Sequence, residues 1–178
     1  MSKTGRQLTL IAALLLLFLC SVGCWFGEGK QESAKKVPAA GDADAEVALF
    51  FCDRDGHLTV ELRSLTAANN LPEAALAELM RGPETPNLLR TIPEDTKLRG
   101  VVVRDGVARA DFSAELIERH WGGSLGETIT VYSITNTQAQ FPDIDRVQIL
   151  IEGQEIPSLT GHLDLTEPLW PDLSLVKD

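Results

Sequence analysis

Residues 98–112, LRGVVVRDGVARADF, decide how this chain folds. Two β-prone runs, Val101–Val103 and Val107–Phe112, flank Arg104–Asp105–Gly106. An Asp-Gly pair between apolar runs signals a tight hairpin, because the favoured two-residue turn needs positive φ, which glycine adopts freely and aspartate tolerates. The stretch LFFCDRDGHLTVELR, residues 49–63, repeats the signal with Asp55–Gly56. It predicts a second hairpin from Val47–Cys52 and Leu58–Arg63.

Reading outward, Ser113 is placed to cap a short helix that carries Leu116 and Ile117 and ends near His120–Trp121. Gly122 and Gly123 break the pattern. Ser124 and Glu127 then stand in capping-box register, predicting a long helix with Leu125, Ile129, Tyr132 and Asn136 along one side. Val131 and Ile134 widen that stripe. So many β-branched residues require tertiary burial to hold a helix. The helix ends at Gln138–Pro142. Arg146–Ile151 alternates Val147, Ile149 and Ile151 with Gln148 and Leu150, a strand near the centre of a sheet. Glu152–Gln154 turns into a short edge strand at Glu155–Ile156, and Gly161–Leu165 reads as a terminal extended segment.

Upstream of the decisive stretch, Asn70 and Pro72 open a helix whose buried stripe is Leu76, Leu79 and Met80, and Gly82–Pro83 stops it. Residues 83–97 carry three prolines and predict an irregular segment closing the core edge with Leu88, Leu89 and Ile92. The whole describes an α+β fold: a single compact domain with a hairpin-built mixed sheet packed against helices.

The N-terminus reads as targeting sequence. Lys3 and Arg6 precede an unbroken apolar run, Leu8–Leu19, and Ser21–Val22–Gly23 lead to Cys24, so residues 1–23 have the make-up of a secretory signal peptide. The pattern resembles bacterial lipoprotein signals, in which a cysteine becomes the lipidated first residue; Cys24 is the matching position, with Ser21 where that pattern usually has an aliphatic residue. Residues 24–46 are expected to be a lipid-anchored flexible linker, since they are polar and lack a sustained apolar period. The expected location is the extracytoplasmic side of the cell membrane or outer membrane.

The chain has 16 basic and 26 acidic residues and a formal charge of -10. With Lys3 and Arg6 removed, the remainder carries 14 basic against 26 acidic residues, or -12. That argues against nucleic acid as a partner, which requires a basic footprint, and leaves the N-terminal anchor to hold the membrane. Cys52 alternates within a strand and reads as a small buried hydrophobe.

Candidate reaction centres are sparse. Asp53, Asp55 and His57 are spaced as metal ligands, but turn chemistry accounts for them, and Ser64 stands where an EF-hand loop would close with glutamate. GGSLGE, residues 122–127, lacks the ending of a phosphate loop. His57, His120 and His162 are the histidines, and Ser64, Ser113 and Ser124 are candidate nucleophiles without a recognisable elbow. Trp121, Tyr132 and Trp170 are candidate contacts for a carbohydrate or peptide, although core use is the favoured reading. No cofactor is expected.

Together these stretches resemble the GerMN domain family, named for a bacterial sporulation and germination protein. The match runs through the first hairpin, the helix ending at Arg81–Gly82–Pro83, TIPEDTKLRGVVVRDGVARADFS, GGSLGETITVYSITNTQAQFPDIDRVQILIEGQ and LTGHLDLTEPL, roughly residues 47–169, leaving 170–178 as a tail. The family's Asp-x-Ser step falls on Asp111, Phe112 and Ser113, its glycine-rich helix entrance on Gly122 and Gly123, and its Phe-Pro-x-x-Asp-x-Val run on Phe141, Pro142, Asp145 and Val147. The resemblance implies a compact module related to ring-building domains of secretion and sporulation assemblies, with no catalytic residue or cofactor. The expected function is a non-catalytic extracytoplasmic lipoprotein interaction domain in an envelope or sporulation assembly, meeting envelope proteins and self-associating. The competing expectation is an envelope hydrolase or a small carbohydrate- or peptide-binding module.

Overall fold

The computed structural model describes residues 44–66 and 70–177. The residues read as signal peptide, Cys24 and the expected linker up to residue 43 lie outside the described residues. Strand β1 (Asp44–Cys52) pairs antiparallel with β2 (Leu58–Thr66), in register from Asp44↔Thr66 to Cys52↔Leu58. Asp44–Glu46, read as the end of the linker, are thus paired strand. The turn between them forms because Asp53 Oδ1 accepts hydrogen bonds from the backbone N–H of Asp55 and His57, each 2.9 Å, as aspartate in a turn characteristically does.

This hairpin is a separate two-stranded ribbon and does not join the main sheet, which of the two hairpins contains only the one at Asp105–Gly106. The free edge of β1 is closed instead by the end of the helix Ser124–Ala139 and a loop: Gln140 exchanges hydrogen bonds with Ala48 N–H and O, Phe50 N–H donates to Thr137 Oγ1, and Cys52 bridges to Leu89. Val47, Leu49 and Phe51 enter the main core, while Phe50 joins Leu58 and Ile129 in a second cluster.

The main sheet has the order β3-β4-β5-β6, from β3 (Leu98–Arg104), β4 (Val107–Phe112), β5 (Arg146–Ile151) and β6 (Gln154–Glu155). β3 and β4 are antiparallel, β4 and β5 parallel, β5 and β6 antiparallel, so the sheet is mixed as expected. The Asp105–Gly106 turn has φ of 52° and 75°, the positive pair that a two-residue hairpin needs. Gly106 is required twice over, by its φ and because a Cβ there would lie 2.5 Å from Asp145 Oδ2, and its carbonyl accepts from Asp145 and Arg146 N–H. The hairpin turn thereby positions the entry of β5. β6 lies one residue earlier than the sequence pattern suggests.

Helix α1 (Leu71–Arg81) starts where expected. The Asn70 side chain accepts from Glu73 N–H, proline sits in the first turn, and Gly82 ends the helix at φ 93°. Ala75, Leu76 and Leu79 are fully buried; Met80 only partly. Helix α2 (Glu115–Glu118) departs from expectation. Its N-cap is Ala114 with no side-chain cap, and Ser113 Oγ instead accepts from Lys97 N–H at 2.9 Å. Ser113 therefore ties the segment entering β3 to the end of β4.

Helix α3 (Ser124–Ala139) connects the parallel strands β4 and β5 and is buried on nearly every side. The expected stripe was too narrow. Thr130, Ser133, Thr135, Asn136, Thr137 and Gln138 are buried along with Ile129, Val131 and Ile134, while Leu125 is 59 % exposed. So polar a helix can be enclosed because its hydroxyls bond to its own carbonyls, Ser133 Oγ to Thr130 O and Thr135 Oγ1 to Val131 O. Gln138 Nε2 donates to Pro72 O, and Asn136 exchanges two hydrogen bonds with the backbone of Asp172.

Residues 157–177 wrap this frame. Gly161–Leu165 is not the expected extended segment; it loops, with Leu165 N–H bonded to Pro157 O. Leu165 O accepts from the buried Gln148 side chain, and Leu169 forms a bridge with Val147. Residues 170–177 are more than a tail: a 3-10 turn at Leu173–Leu175 places Leu175 and Val176 against the second cluster, and Lys177 N–H donates to Leu58 O.

Candidate interaction surface

The first turn of α3 is where the local reading and the fold diverge. Ser124 and Glu127 do not form a capping box; the N-cap is Gly123 with no side-chain cap. Glu127 points inward, fully buried. Its carboxylate accepts from Ser158 Oγ, Leu159 N–H, Thr160 N–H, Thr160 Oγ1 and His162 N–H, at 2.8–3.1 Å. Burial alone would raise its pKa, but the donors from Thr160, His162 and Ser158 reverse that and hold it at about 2. A carboxylate ringed by donors, rather than a salt bridge, thus fixes the 158–162 loop. His162 contributes through its backbone. The sequence offered a signal in the Ser158-Leu-Thr-Gly-His162 run, rich in the small hydroxyl residues that surround anions.

On the opposite side of the same turn lies a cleft of about 400 Å³ lined by Cys52, Leu89, Trp121, Leu125, Gly126 and Ile129, with Arg90 and Gly122 at its margin. Leu89, Trp121 and Leu125 are each at least half exposed. The cleft is anchored to β1, since Cys52 and Leu89 form a backbone bridge. Its aromatic wall is held from behind. Thr130 Oγ1 donates to Thr91 O and so can only accept from His120 Nε2–H at 3.0 Å, while His120 Nδ1 accepts from Gly122 N–H. Both ring nitrogens are thereby occupied and the imidazole is neutral; burial lowers its pKa, partly opposed by nearby Glu127. The Trp121 ring stacks on it, centroids 5.1 Å apart. Gly126 allows that arrangement, because a Cβ there would sit 2.8 Å from Trp121 Nε1.

The remaining candidates are dispersed. Asp53, Asp55 and His57 do come together, yet Lys177 Nζ already bonds both carboxylates, at 3.3 and 2.9 Å. Burial raises the Cys52 thiol pKa, with Asp53 adding to it. Ser113 is engaged with Lys97, and Ser64 lies on the exposed face of β2. Among the described residues no serine hydroxyl hydrogen-bonds a histidine ring, and the Thr130 hydroxyl that does is fully buried. The aromatic residues divide. Tyr132 packs on the second cluster, but Trp121 and Trp170 are 53 % and 64 % exposed, correcting the expectation of core use. The sequence reading also missed Glu61, buried on β2. It binds the Arg63 guanidinium and accepts from Glu84 and Thr85 N–H, so that these donors outweigh burial and hold its pKa at about 2.

A mixed sheet packed against an enclosed polar helix, with an apolar cleft at that helix's first turn, defines a small α+β module. The chain belongs to the GerMN family: residues 48–157 match the family model described as Germane, sporulation and spore germination. The spore germination protein GerM of Bacillus subtilis is 30 % identical over 138 residues, covering 73 % of this chain and 37 % of that protein; the chain thus spans little more than a third of this relative's length. The first GerMN domain of the Bacillus subtilis sporulation protein GerM superposes with a TM-score of 0.59 at 26 % identity, covering 72 % of this chain and 96 % of that one. A crystal structure of a candidate lipoprotein from Clostridium perfringens gives a TM-score of 0.53 at 26 % identity, covering 73 % of this chain and 88 % of that one.

Proposed function

We propose that this domain is a non-catalytic interaction module held on the extracytoplasmic side of a membrane through a lipid on Cys24. There it serves as one component of an envelope or sporulation assembly of the ring-building type. One observation carries the reading: Leu89, Trp121 and Leu125 stand exposed around a cleft whose wall is fixed by His120, an apolar surface held in place with no covering partner among the described residues. Exposed apolar patches on a rigid frame are characteristic of sites that other proteins cover. The sporulation and germination names of its relatives supply the context, and the description of the Clostridium perfringens neighbour is consistent with the anchor. Trp121 stacked beside a concave wall also suits a peptide segment, which would place a peptide-binding role in the same cleft.

The test is crosslinking and capture from native membranes with intact-mass measurement of the recovered chain, comparing wild type, Cys24→Ala and Trp121→Ala. A specific partner lost on Trp121→Ala, with a mass showing acylated Cys24, is expected. An unmodified chain retaining residues 1–23 in the cytosol, or turnover of a substrate by the purified protein, would overturn the reading.

A further inference from the structure

The outward face of the main sheet carries arginines that form no ion pair with a carboxylate of the described residues. Strand register sets Arg104 opposite Val107 and Val107 opposite Arg146, and two residues along sets Val102 opposite Arg109. Arg104, Arg109 and Arg146 therefore lie on one face of three adjacent strands, because alternate residues share a face. Arg99, further along that face, is paired with Asp111 at 3.0 Å and with Glu152. The other three form no ion pair with any described residue. Arg146 is held by an aromatic ring instead, its guanidinium 5.4 Å from the exposed Trp170.

Between these arginines lies a shallow depression of about 590 Å³, lined in part by Gly100, Val102, Arg104, Arg109 and Leu150. Its floor is open. The β-bulge between Leu98 and Gly100 leaves nothing within 4 Å of where a Cβ on Gly100 would point, and Val102 is 51 % exposed. With Asp111 already paired to Arg99, Asp105 is the one lining carboxylate left to oppose the arginines. The lining thus sets Arg99, Arg104 and Arg109 against Asp105 and Asp111, a small positive excess in a chain of net charge -10, with Asp143 and Asp145 on the far side of Arg104.

We propose that this face docks an acidic polypeptide segment carrying an aliphatic side chain. Its carboxylates meet Arg104 and Arg109, and its aliphatic group lies over Gly100 and Val102. Planar guanidinium forks suit bidentate recognition of carboxylates, and arginine beside an exposed tryptophan is the composition of interface hot spots. The field argues for a narrow partner over an anionic membrane or nucleic acid. A broad anionic surface meets the repulsion of the whole acidic domain, whereas a single segment senses only charges within a screening length of about 8 Å. The inference rests on the interaction role proposed above and adds the chemistry of one partner.

The test uses the full chain in neutral detergent and a short fluorescent peptide of alternating glutamate and valine, with a lysine-for-glutamate analogue, read by anisotropy. Expected is saturable binding of the acidic peptide only, weakened about tenfold or more in R104E/R109E and by higher salt, and unchanged in R119E. R104Q/R109Q replaces the reversal variant if circular dichroism shows the latter unfolded. Equal binding by the folded variant, no peptide binding at all, a stronger arginine-dependent gain on phosphatidylglycerol than on phosphatidylcholine vesicles, or arginine-dependent dimerisation without peptide binding would each overturn the proposal. The membrane capture experiment separates the two readings. A wild-type partner that survives R104E/R109E while peptide binding is absent removes this face alone, whereas no partner for wild type removes the interaction role.

Discussion

Glu127 and Trp121 both lie beside Gly126, at the start of the same helix, and the chain treats them in opposite ways. Glu127, a charge, is fully enclosed by five donors from a loop more than thirty residues away. Trp121, a large hydrophobe, stands more than half in solvent although His120 and Gly126 fix its position. The enclosed side shows a polar group used to fasten a distant segment, where each donor would be costly to leave unmatched. The open side shows rigidity without cover. A surface prepared in that way gains free energy only when something outside the domain covers it, which is why the cleft bears on function and the glutamate on architecture.

Breaking the enclosed side should have the largest effect. Glu127→Ala leaves several buried donors unpaired and is expected to cost about 3–4 kcal/mol in urea denaturation, with amide exchange accelerating first at residues 158–162. A loss below about 1 kcal/mol would show the loop to be held by something else.

Acid sharpens the same point. Glu127 and Glu61 have folded pKa values of about 2, well below that of an unfolded glutamate. Their contribution is complete above about pH 5 and is lost as pH falls toward 2, by up to about 3 kcal/mol for each group. Melting temperature followed from pH 6 to pH 2 should fall steeply, and less so in Glu127→Gln, whose starting stability is already lower.

The open side should respond in function before stability. His120→Ala removes contacts to Thr130 and Gly122 and is expected to cost about 1 kcal/mol, with the fluorescence of Trp121 shifting to the red. Because the folded pKa of His120 is depressed, the unfolded chain binds its proton first. Wild-type stability should therefore also decline as pH falls through and below about 6.5, a component absent in His120→Ala. Trp121→Ala should change unfolding free energy by less than about 1 kcal/mol, as expected for an exposed residue, while abolishing partner capture. The smallest stability effect belongs to Gly126→Ala. The gain in helix propensity of up to about 1 kcal/mol opposes displacement of the indole, and an altered tryptophan emission with nearly unchanged melting would separate the two.

What could be read from sequence follows the range of the interactions. The hairpins at Asp55–Gly56 and Asp105–Gly106, the helix bounded by Asn70 and Gly82, and the Arg146–Ile151 strand rest on chemistry within a few residues, and each is present. The misreadings are places where a local pattern and a distant partner competed for one side chain. Glu127 fits a capping box by spacing, but the 158–162 loop supplies more donors than a helix terminus can. Ser113 fits a cap and is taken instead by Lys97. The breadth of burial around α3 was hidden because its threonines and serines look like a solvent face until the hydroxyls are seen bonded to their own helix. Exposure of Trp121 and Trp170 had no local signal at all, since an aromatic residue reads the same whether another element covers it or not.

Strand β1 fixes a direction for any load or attachment arriving from the N-terminal side. Its nine residues run from Asp44 to Cys52, where the Leu89 bridge begins the cleft, a separation of roughly 26 Å at about 3.3 Å per residue. Whatever precedes Asp44 therefore enters the fold at the opposite end of the strand from Cys52, the residue of β1 that lines the cleft.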